Sequence, residues 1–146
     1  MNEYTMEDVQ KQIQESIQKI LQAVYNFSTG DVEKIFVYCF MGRDALSGDF
    51  FFQYENKIIV KKDMPNRIME EQIFPTDLTV SEGRKIREAF KKANQEFPNE
   101  MYLTYDVKSK KMSNQFKYDV EWDEKAKVPT PDQHFEDWMM KVQQEI

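Results

Sequence analysis

Apolar residues at Val9, Ile13, Ile17, Ile20, Leu21, Val24 and Tyr25 recur at intervals of three and four, the spacing of one helical face. Thr5 followed by Asp8 resembles a capping box with the shorter acid, so a helix is predicted from about residue 6. Gly30 stands where a C-terminal cap or turn would end it. The period then changes. Ile35 to Met41 is apolar at every position, as in a central strand covered on both faces. Phe50, Phe52 and Tyr54 alternate with polar neighbours in a second strand, Asp49 to Glu55. Asn56-Lys57 supplies a tight turn into a short third strand at Ile58 to Lys61, with Pro65 beyond it to blunt that edge.

Residues 63–78 read equally as a loop or as a short helical turn at Arg67 to Glu71. Thr79-x-x-Glu82 has the form of a capping box, which predicts that a second helix starts there, carries Ile86, Phe90, Ala93 and Phe97 inward, and stops at Pro98. Met101, Leu103, Tyr105 and Val107 alternate in a fourth strand. Met112, Phe116, Tyr118, Val120 and Trp122 hold one face of a fifth, whose other face carries Gln115, Lys117, Asp119 and Glu121 and is expected to meet water. Thr130-Pro131-x-Gln133 starts a last helix with Phe135, Trp138, Met139, Val142 and Ile146 on its inner stripe. The order α-β-β-β-α-β-β-α predicts one α+β domain over residues 1–146, an antiparallel sheet of about five strands with helices packed on one face.

Charge narrows the partners. The chain carries 26 acidic and 20 basic residues, a net charge of −6, and its lysines adjoin only in pairs, so the basic footprint of a nucleic-acid binder is missing. The N-terminal residues lack a basic and apolar leader, and no run reaches the roughly 20 apolar residues that cross a bilayer, so a cytoplasmic protein without a membrane partner is expected. Cys39 is the single cysteine, set in an apolar strand where it reads as a core thiol. His134, the single histidine, reads as a solvated or capping residue. The four glycines are scattered and build no phosphate loop.

Two acidic groups remain as candidate partner-binding residues. Asp119, Glu121 and Asp123 alternate along one strand face, where they could grip a hard cation, although any half-exposed strand gives the same pattern. Asp44 and Asp49 flank a glycine-containing loop. With Tyr118 as an aromatic anchor, these carboxylates make an acidic patch suited to a basic partner.

Several segments resemble the YezG/EsaG-like antitoxins, immunity proteins of bacterial polymorphic toxin systems. The matching residues are the first amphipathic helix, Val32-Glu33-Lys34-Ile35-Phe36-Val37-Tyr38 and Phe50-Phe51-Phe52. They continue with Asp63-Met64-Pro65, Leu78-Thr79-Val80-Ser81 and Phe116-x-Tyr118-Asp119-x-x-Trp122. The resemblance implies an inhibitor that binds a cognate toxin, nucleases among them, one to one, with no catalysis and no cofactor. Two other readings stand beside it: an intracellular adaptor or chaperone for another protein, and a metal-dependent enzyme using the acidic strand face.

Overall fold

The computed structural model describes residues 3–28, 31–42, 45–64, 69–118 and 130–146, with backbone alone for 69–72. In chain order the elements are α1 (Met6–Ser28), β1 (Lys34–Met41), β2 (Leu46–Tyr54), β3 (Lys57–Val60), α2 (Met69–Lys92), β4 (Glu100–Asp106), β5 (Lys111–Lys117) and α3 (Pro131–Gln144). The five strands form one antiparallel sheet in the order β3-β2-β1-β4-β5. Class, strand number and element order are those the hydrophobic pattern predicts.

Both ends of the chain start their helices with reciprocal caps. Thr5 Oγ1 accepts from the Asp8 backbone N–H at 3.3 Å while Asp8 accepts from the Thr5 N–H at 2.9 Å. Thr130 and Gln133 repeat the device at α3, with Pro131 at the first helical position. The β2–β3 hairpin turns at Glu55 and Asn56, one residue earlier than the sequence suggests. Both take positive φ, 51° and 61°, as the hairpin turn that matches strand twist requires.

The start of the second helix departs from expectation. Thr79 and Glu82 form no capping box, because α2 begins at Met69 and both residues lie well inside it. Pro75 sits within the helix, and the Thr79 hydroxyl donates to the Pro75 carbonyl at 2.7 Å, a turn-internal bond open to threonine. Glu82 is buried instead and pairs with Lys85 at 2.9 Å.

Alternation along β1 divides the core in two. Ile35, Val37, Cys39 and Met41 join Phe50, Phe52, Met101 and Leu103 in packing on α1 and α2. Helix α2 lies close to the sheet at two glycines: a Cβ on Gly48 would fall 2.7 Å from Thr79 Cγ2, and one on Gly83 would fall 2.5 Å from Cys39 Sγ. On the other side, Phe36, Tyr38, Phe40, Phe51 and Tyr102 pack with Phe135, Trp138, Met139 and Val142 of α3. The helices are therefore not all on one face: α1 and α2 share one side and α3 takes the other. The doubly apolar β1 is the physical reason, since its second row of large side chains needs its own cover. Phe36 and Phe51 stack there with centroids 4.6 Å apart, and Trp138 meets Phe51 edge-on at 5.1 Å.

Candidate functional site

Of the six residues singled out from the sequence, Asp44, Asp119, Glu121 and Asp123 lie outside the described residues. Asp49 and Tyr118 are described, and the fold does not bring them together. Asp49 lies on β2, Tyr118 follows β5, and β1 and β4 run between those strands. Three strand spacings put them roughly 14 Å apart across the sheet at least. Tyr118 is 41% exposed, and partial burial, aided by nearby Glu96, raises its hydroxyl pKa.

Asp49 is tied down rather than free. It accepts from the Phe50 N–H at 2.8 Å and pairs with Lys61 Nζ at 3.2 Å. That same ammonium donates to Thr76 Oγ1 on α2 at 3.2 Å and lies 5.3 Å from the centre of the Phe50 ring. Three and two residues before Thr76 stand the most exposed apolar residues described on α2, Ile73 at 55% and Phe74 at 65%. They are adjacent in sequence, follow the described start of the helix by one turn and immediately precede the buried Pro75. Large apolar groups left in water as neighbours, beside charged groups, are how contact sites with other proteins present themselves.

A second constellation is hidden under α3. Glu100 opens β4 with 1% of its surface exposed. Its Oε2 accepts from the Tyr38 hydroxyl and its Oε1 from the Tyr102 hydroxyl at 2.9 Å, while His134 Nδ1 stands 3.4 Å from Oε2. Burial, then the carboxylate, drives both phenol pKa values above their ordinary value of 10. A carboxylate held by donors on both oxygens is a positioned acceptor, satisfied as a buried polar group must be. Beside it a groove of about 290 Å³ opens between α3 and β4–β5, lined by His134, Trp138 and Lys141 on one side and Tyr102, Gln115 and Lys117 on the other.

Sequence reasoning missed Glu100, which falls between Pro98 and the strand expected from Met101. Its alternation with Tyr102 is the one local signal that it faces the sheet's second core. His134, expected in solvent or as a cap, is instead the residue of α3 that reaches this carboxylate. Among the described residues no group of three or more His, Cys, Asp or Glu is placed to hold a metal. Cys39 is fully buried, with its thiol pushed up to about 12. Also among the described residues, no helix is long and apolar enough to cross a membrane. No protein-family model and no curated protein matches the chain.

Proposed function

We propose that this protein works by stoichiometric binding of another protein, as an immunity protein that neutralises a cognate bacterial toxin in the cytoplasm. The observation that carries the binding reading is the exposed Ile73–Phe74 pair, within one turn along α2 of Thr76, to which Lys61 of the Asp49–Lys61 ion pair donates. An apolar anchor with charged groups at its edge is the composition of an interface hot spot and its rim. The net charge of −6 favours a basic partner surface and fast encounter with it. The resemblance to YezG/EsaG-like antitoxins supplies the biological class. In this reading the chain covers the toxin and performs no chemistry on it.

The test is co-expression with the product of an adjacent toxin gene, scored by rescued growth and by recovery of a complex. Phe74→Asp should abolish protection, weakening the complex by about 2–4 kcal/mol as loss of a central anchor does. The substitution is on an exposed side chain, so melting should move little. Full protection by a folded Phe74→Asp protein would remove this patch from the interface. In that event Asp119→Lys with Glu121→Lys tests the acidic run instead.

A further inference from the structure

The sheet has two edges, and they are not alike. At one, β3 has four residues and runs directly into Lys61 and Lys62. At the other, β5 runs for seven residues, from Lys111 to Lys117, and among the described residues no strand pairs with its outer side. Register with β4 assigns its two faces. Met112 lies opposite Tyr105 and Phe116 opposite Met101, on the side of α1 and α2. Gln115 lies opposite Tyr102 and Lys117 opposite Glu100, on the side of α3 and the groove. One row of β5, Met112, Asn114 and Phe116, is therefore apolar at its two ends and polar at its centre, with Met112 47% exposed and Tyr118 just beyond the strand exposed as well. The other row, Lys111, Ser113, Gln115 and Lys117, is polar and basic in a protein whose net charge is acidic.

We infer that the outer edge of β5 accepts an extended segment of a partner protein as a sixth strand, one that alternates apolar residues with acidic ones. An added strand gains affinity from its main-chain hydrogen bonds and selectivity from alternate side chains. On one face its apolar residues lie against Met112, Phe116 and Tyr118 and extend the core. On the other its carboxylates meet Lys111 and Lys117 at the two ends of the strand. Lysines on an edge strand also discourage pairing with the wrong chain. Antiparallel pairing of β5 with a second copy about Asn114 would set Lys111 opposite Lys117, a like-charge contact that disfavours self-association. The inference uses a different edge of the molecule from the Ile73–Phe74 patch and does not rest on the toxin reading.

The test uses the full, isotope-labelled chain and a capped peptide alternating valine and glutamate, with the lysine-for-glutamate peptide as its control. Amide spectra should show saturable shifts confined to β5 and the residues flanking it, with slowed exchange there. The glutamate peptide should bind about tenfold tighter than the lysine peptide, within the range that two cross-strand charge pairs of changed sign supply. Lys111→Glu together with Lys117→Glu should reverse that preference while leaving the remaining amide positions unmoved. Should the double variant fold poorly, Lys111→Glu alone, on an exposed side chain, must narrow the gap between the peptides. Absence of shifts on β5 at millimolar peptide, equal binding of the two peptides, or concentration-dependent dimerisation through β5 without peptide would each overturn the inference.

Discussion

The two sides of the sheet bury the same strand by different means. Toward α1 and α2 the sheet meets hydrocarbon, with the buried Glu82 of α2 paired to Lys85: Val9, Ile13, Ile17, Ile20 and Val24 of α1 pack with Ile35, Val37, Phe50, Phe52 and Leu103, and Phe27 closes on the two phenylalanines. Toward α3 the packing is aromatic and organised about a buried carboxylate, with Tyr38, Tyr102 and His134 converging on Glu100. A hydrocarbon core gains stability in proportion to the area removed from water and tolerates volume-conserving substitution. A buried polar cluster adds little net stability when complete, but it is costly to leave unmatched and so fixes one arrangement. The first side supplies most of the stability, and the second sets where α3 sits.

The largest expected effect comes from breaking the hydrocarbon side. Phe52→Ala, at a fully buried position, should cost about 3–5 kcal/mol in denaturant unfolding. Trp138→Ala, on the half-buried inner stripe of α3, should cost about half as much despite the larger ring, because water already reaches part of it. Equal losses would show that α3 contributes as much as the two-helix side and would end the contrast.

Glu100 sharpens the comparison from the other side. Glu100→Ala leaves the Tyr38 and Tyr102 hydroxyls buried without their acceptor, at about 1–3 kcal/mol for each stranded group. Glu100→Gln keeps the shape and one carbonyl acceptor, so it should cost clearly less. If alanine and glutamine prove equally mild in thermal melts, the cluster is not holding the hydroxyls as described.

The smallest effect is in alkali. The Tyr38 and Tyr102 phenols have raised pKa values in the folded state, so their contribution is complete below the ordinary value of 10 and is lost as pH rises beyond it, when unfolding releases their protons. Stability should fall with pH above that point, and tyrosinate absorbance from these two groups should appear only together with unfolding. Their ionisation in a protein still folded by circular dichroism would contradict the burial.

The division of the sheet was partly written in the pattern of side chains. Ile35 to Met41 announces a strand covered twice, yet the stripe Phe135, Trp138, Met139 and Val142 does not say which side it covers. Helical periodicity reports that a face is buried and nothing about its partner. The Thr79-x-x-Glu82 pattern misled because a threonine three residues before a glutamate satisfies the local rule for a cap wherever it falls, while tertiary packing decided that the helix begins at Met69. The exposure of Ile73 and Phe74 was hidden for the same reason, since they fell in a stretch with no readable period. Asp49 was found by composition, but its pairing with Lys61 depends on a hairpin that brings two strands side by side.

Gly48 and Gly83 give α2 a mechanical property. At those two points the helix touches the sheet without the spacing of a side chain, against Thr79 on one side and Cys39 on the other. Two such contacts, four residues apart along the helix, index it in both translation and rotation, like a key with two cut notches. A shift of α2 along its axis would therefore press Thr79 against β2 and Gly83 against β1, so strain on the helix passes into the sheet instead of being absorbed by slippage.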